Sequence, residues 1–253
     1  MGQAHDVLER ARAARLEGRH EDALRDHLWF HENALAVEPG MAGVRLSFAL
    51  RDWIYLAEKF PLARRALQGL RDRDTARLLE GDGSRSGGAR DLFRDIAAIN
   101  GALGEERATH ELFERLDLQA PALAQQCADL ALPALAAAED FALARRYLGD
   151  PAARVANLAA NLNGYTEELV RSGNTSSAPA LLSFVLNYAK EVRLVVEILH
   201  RQGEEESAAQ VSRAALEELK SDALRDAVQR EFDTPGATIA AMVAHARANV
   251  TEH

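Results

Sequence analysis

The sequence predicts an all-α protein of antiparallel helical pairs. Alanine and leucine dominate its 47 % hydrophobic content, whereas Val, Ile, Thr, Tyr and Phe are sparse. Apolar residues recur at three- and four-residue spacing along nearly the whole chain, and no stretch alternates convincingly enough to read as a strand. Short glycine- and proline-bearing breaks divide the pattern into about a dozen segments of helix length.

The segments follow one another closely. The first spans Gln3 to Glu17 and stops at Gly18; the second begins near His20 and ends before Pro39-Gly40. A third is expected from Met41 to Glu58, and a fourth follows Pro61, a residue suited to a first helical turn. The stretch "EGDGSRSGGAR", Glu80 to Arg90, is the one long glycine- and serine-rich segment and reads as a flexible loop. Helices are expected over Asp91–Gly101, Glu105–Leu116, Pro121–Ala138 and Phe141–Leu148. Asp150-Pro151 is a cap followed by an N1 proline, and it opens a helix to about Ser172. After "GNTSSAP" come Ala178–Arg201, Glu204–Leu219 and Ser221–Phe232. A final helix over 235–250 carries Ile239, Met242, Val243 and Ala246 on one face, the pattern of a terminal cap.

Composition narrows the functional classes. A net charge of −9 lacks the clustered positive charge of a nucleic-acid groove, so no nucleic-acid partner is expected. No apolar run is long enough for a membrane span, and the opening residues lack the apolar core of a signal peptide. Asp6 stands where a myristoylation motif needs Ser or Thr. The single cysteine, Cys127, lies in "ALAQQCADLAL" and is expected to be a buried, inert thiol. A cytoplasmic protein of bacterial type, with no cofactor and no resident metal, is the expectation.

The phrase Gly-x-x-x-x-Ala recurs as "GRHEDA" (Gly18 to Ala23) and "GEEESA" (Gly203 to Ala208). Looser copies are "EKFPLA" (Glu58 to Ala63), the shorter "GEERA" (Gly104 to Ala108) and "AEDFALA" (Ala138 to Ala144). His27, Leu67, Leu112, Leu148 and Ser212 each follow the alanine by four residues. Together these resemble the tetratricopeptide repeat, in which a small residue at the contact lets two antiparallel helices approach closely. The steps between alanines, 23 to 63, 63 to 108 and 108 to 144, are 40, 45 and 36 residues. The repeat itself takes about 34. The resemblance implies a single helical-repeat domain over 1–253, stacked as a solenoid whose concave groove binds a protein or peptide partner. It places Arg45 and Asp52 on the groove side of the third helix and Asn100 on the next groove helix. It also sets Lys190 and Arg193 where carboxylate-clamp members hold a peptide's terminal carboxylate, although the accompanying asparagines are not at their places.

Within "PAARVANLAANLNGYTEELV", Asn157 and Asn161 form a polar stripe four residues apart in an Ala/Leu helix. Asparagine is a poor interior helix residue, and its amide both donates and accepts, so the pair suits an extended peptide backbone. Asn187 is placed to join them. Alternatively, the asparagines bond one another or a neighbouring helix end. Lys190, Arg193, Glu197 and His200 form a line that either pairs with adjacent helices or faces the groove.

His27 and His31, four apart, are half of many metal sites, and they carry the alternative of an all-helical metal-dependent enzyme. Both lie on the apolar side of their helix, which favours packing. Trp29 falls on the polar side with Arg25 and Glu32; it either packs under a neighbouring helix or serves self-association, giving a homodimer.

Overall fold

The structure is a computed structural model that describes residues 2–81, 88–173, 178–240 and 243. Among the described residues it is all-α: thirteen α-helices, one 3-10 turn and no strand. None of these helices is long and apolar enough to cross a membrane. The chain divides into two compact units, residues 1–134 and 135–253.

Unit 1 contains α1 (Gln3–Leu16), α2 (His20–Val37), a 3-10 turn (Pro39–Met41), α3 (Ala42–Arg45) and α4 (Phe48–Ala57). It continues through α5 (Pro61–Leu79), α6 (Gly88–Leu103), α7 (Glu106–Gln119) and most of α8 (Pro121–Ala137). Ala14 of α1 and Ala23 of α2 are fully buried, and they pack with Leu50, Trp53 and Leu56 of α4, Leu67 and Leu70 of α5, and Ile99 of α6. Each such leucine buried contributes about 1.5–3 kcal/mol. The Trp53 indole N–H donates to the carbonyl of Ala63 at 3.0 Å, so the largest core side chain is also fixed in orientation. A smaller cluster joins Ala4, Val7 and Leu8 of α1 to Phe30 and Ala34 of α2 and Ala49 of α4.

The helix expected over 41–58 is in fact broken at Leu46-Ser47. The Ser47 hydroxyl donates to the Gly43 carbonyl at 2.6 Å and its backbone N–H turns to Val44, so the i to i−4 ladder stops. At the other end of the expected 80–90 loop, α6 starts early, at Gly88; residues 82–87 lie outside those described.

Unit 2 contains α9 (Phe141–Leu148), α10 (Pro151–Ser172), α11 (Ala178–Arg201), α12 (Glu205–Glu217) and α13 (Asp222–Asp233). The expected cap at Asp150 is present: its carboxylate accepts from the N–H groups of Ala152 and Ala153. Asp140 and Ser221 cap α9 and α13 in the same way. Helix α11 is the centre of the unit, packing on α9, α10, α12 and α13. Its Val185, Val192, Val195, Ile198 and Leu199 are all buried, as expected of a helix apolar on most sides. Tyr188 donates its hydroxyl to the Ala215 carbonyl at 2.6 Å, which ties α11 to α12. The expected helix over 235–250 lies largely outside the described residues. Residues 237–240 are helical, and buried Glu231 accepts from the N–H groups of Gly236 and Thr238 at their start.

One turn recurs in both units. Gly18, Gly104, Glu139 and Gly203 have φ of 77°, 72°, 59° and 74°, the left-handed region. In each case the next residue donates its N–H to a carbonyl five positions back: Arg19 to Ala14, Glu105 to Asn100, Asp140 to Leu135, Glu204 to Leu199. This is the Schellman closure of a helix C-terminus. Five residues beyond each left-handed residue stands a buried small side chain, Ala23, Thr109, Ala144 or Ala208. The packing residue of the third copy is therefore Thr109, not Ala108, and the step from 109 to 144 is 35 residues. Glu139 shows why glycine is not required in the sequence phrase: the backbone geometry persists at a strain cost of about 1–2 kcal/mol.

Candidate functional site

The polar residues expected in a groove separate into two kinds. In unit 1 they are internal. Arg45, the last residue of α3, is 4 % exposed, and its guanidinium is bidentate on Asp95 of α6 while Nε donates to the His31 carbonyl at 2.7 Å. Asp52 is buried against Arg12 of α1, which donates to it at 2.6 Å. Asn100 is 1 % exposed and donates to the Thr109 hydroxyl at 3.1 Å, bridging α6 and α7. These three correct the expectation of an open groove wall. The side chains turn inward because each finds an ionic or amide partner on a neighbouring helix, and a buried polar group without one is costly.

The histidine pair also separates. His27 is 1 % exposed and stacks on Trp53, ring centroids 5.5 Å apart, and neither ring nitrogen has a hydrogen-bond partner. Burial pushes its pKa down to about 4, although Asp52 and Asp26 pull the other way. His31 lies instead with Asp74 of α5 and Asp95 of α6, their ligand-type atoms all within 4.8 Å of one another. The carboxylates that sequence reading did not find come from helices 43 and 64 positions away. Arg45 already sits among them, with Nη2 3.2 Å from His31 Nε2. A cleft of about 620 Å³ reaches His31, Arg45 and Asp95 from between Leu35, Ala42 and Asp91.

Cys127 is fully buried, and burial raises its thiol pKa to about 12, so no thiolate forms at neutral pH.

In unit 2 four of the five expected residues are on the surface. Asn157, Asn161, Asn187 and Lys190 are all exposed. Two contacts between α10 and α11 bracket them. Arg154 donates to Glu191 at 2.9 Å, and the Tyr165 and Phe184 rings lie 4.0 Å apart. Residue numbers rise along α10 as they fall along α11, so the two helices are antiparallel. Asn157 and Asn161 lie between these contacts on α10, and Asn187 and Lys190 lie between them on α11. Asn157 and Asn161 share a face of α10 with Arg154 and Tyr165, and Asn187 shares a face of α11 with Phe184 and Glu191, whereas Lys190, next to Glu191 in the chain, lies about 100° further round α11. The fifth residue, Arg193, turns away, donating to the Glu231 carbonyl at 3.0 Å on α13. His200 is likewise engaged, with Glu205 at 2.6 Å.

Sequence reading passed over Asn163. It is 5 % exposed and joins α10 to the end of α12, donating to the Glu218 carbonyl at 2.8 Å and accepting from the Lys220 N–H at 3.0 Å. Its position beside buried Leu162 was the available signal. Trp29 is half-buried, resting on the cluster of Val7, Leu8 and Phe30.

Compared with protein-family models, curated proteins and solved structures, the chain matches none.

Proposed function

We propose that this protein is a non-enzymatic interaction module, a tetratricopeptide-like helical repeat that holds an extended peptide segment of a partner against the α10–α11 face. The observation that carries this reading is the set of exposed asparagines Asn157, Asn161 and Asn187 lying between two contacts of an antiparallel helix pair, with exposed Lys190 on the same stretch of α11. Three amides present both donors and acceptors to solvent, and a peptide backbone offers the complementary set. Lys190, three residues from Asn187 on α11, adds one exposed cation, which suits an acidic side chain or a terminal carboxylate. The repeated left-handed turn, with its buried small residue five positions on, supports the repeat reading.

The test is capture of a partner from extracts of the native host. The double change Asn157→Ala, Asn161→Ala should abolish capture while leaving the helical circular-dichroism signal intact. Capture that survives this change removes these asparagines from the account.

A second reading, a metal-dependent activity in unit 1, is favoured by the His31, Asp74 and Asp95 grouping. It differs from the pairing of His27 with His31, because His27 has no part in the group. The Arg45 guanidinium is the cation these residues now hold, and a divalent ion would have to displace it. Stoichiometric zinc or iron in the purified protein would favour this second reading over the first.

A further inference from the structure

We propose that α2 is a self-association surface and that its occupant is α2 of a second copy, packed antiparallel across a two-fold axis. Glu21, Arg25, Leu28, Trp29 and Glu32 follow three- and four-residue spacing and share one stripe of α2. Arg25 and Trp29 form a ridge on that stripe with a cleft on either side. The first, about 630 Å³, lies against Asp6, Val7 and Arg10 of α1. The second, about 530 Å³, has a floor of Leu24, Leu28, Phe60 and Leu62 and an acidic rim of Glu21 and Glu32. Leu62 is 46 % exposed and Trp29 only half-buried, so part of this apolar lining stays open to solvent in the single chain.

Charge identifies what covers it. The ridge carries a cation and an aromatic ring; the groove beside it is apolar with carboxylates at its edge. One chain therefore bears both halves of a complementary pair, which is the condition for an isologous two-fold contact. With the axis between Leu28 and Trp29, Arg25 of one copy meets Glu32 of the other, and Glu32 meets Arg25. Trp29 meets Leu28 at the centre. In the single chain Arg25 pairs with Asp22 at 2.8 Å and Glu32 with Arg73 at 3.3 Å. Those pairs are solvent-exposed and weak, so they exchange at little cost.

Sedimentation velocity of the full chain, carried to about 100 µM, reads the association directly. The wild type should dimerise, and Trp29→Ala should remain monomeric. Arg25→Glu and Glu32→Arg should each weaken the dimer about tenfold or more, and the two together should restore it. Both side chains are exposed, so circular dichroism should be unchanged in all three charge variants. A wild type that stays monomeric overturns the proposal. So does a dimer insensitive to the single reversals, or a double reversal weaker than either single one.

Discussion

The imidazole of His27 lies stacked on the indole of Trp53, 24° from parallel, and both of its ring nitrogens are without a hydrogen-bond partner. The pair sits where α2 meets α4, surrounded by charge: Asp26 held by Arg10, Asp52 held by Arg12, and Arg15. Only the neutral imidazole is tolerated there. Burial pushes its pKa down to about 4, against an ordinary value of 6.5. The unfolded chain therefore binds one more proton than the folded one between those two values. Stability attached to this group is complete above about pH 6.5, declines as pH falls, and is fully lost near pH 4. The loss is about 3 kcal/mol. Urea unfolding at pH 7 and pH 4.5 should show it, and His27→Leu should flatten that part of the profile.

The ion pair of Arg45 with Asp95 makes a second prediction. Arg45→Met leaves the Asp95 carboxylate buried without its cation and should cost about 3–5 kcal/mol. The double change Arg45→Met, Asp95→Leu should recover most of that, because an apolar pair has no desolvation debt. Chemical denaturation of the three proteins measures the cycle. A single change that costs nothing would mean that Asp95 is not held as described.

Two kinds of asparagine in α10 should respond oppositely. Asn163→Ala removes both ends of the clasp on Glu218 and Lys220 and leaves buried backbone groups unmatched, at a cost of about 1–3 kcal/mol. Asn157→Ala with Asn161→Ala replaces two exposed, poor helix formers by the best one, so unfolding should show a gain of about 1 kcal/mol. Asparagines that weaken the free protein are consistent with a use outside it.

How much of this was legible in the sequence depends on distance along the chain. Asp150-Pro151, Ser221, Gly18 and Gly203 announce helix ends because the chemistry of a cap lies within about five residues. The inward turn of Arg45 and Asp52 was not legible, since Asp95 lies 50 positions from Arg45 and Arg12 lies 40 from Asp52. Periodicity placed them on a face but not against a partner. The same limit joined α3 to α4, because the Ser47 hydroxyl that ends the ladder reads as an ordinary polar position. Asn157 and Asn161 were legible as unusual residues; which asparagine is structural became clear only once α12 was packed against α10.

The recurring turn makes a fourth prediction. Glu139 adopts φ 59° where Gly18, Gly104 and Gly203 stand in three of the other copies; the copy from Glu58 to Ala63 lacks the left-handed turn. Glu139→Gly should stabilise by about 1 kcal/mol, and Gly203→Ala should destabilise by a similar amount. Nothing lies within 4 Å of a Cβ added at Gly203, so the loss would come from backbone strain alone. Thermal unfolding of the two variants separates the signs.

Hydrogen–deuterium exchange of the protein with and without its captured partner tests the central claim most directly. The account predicts slowed exchange over residues 157–161 of α10 and 187–190 of α11, lost in the Asn157→Ala, Asn161→Ala variant. Slowed exchange confined to unit 1, with these two stretches unchanged, would contradict it.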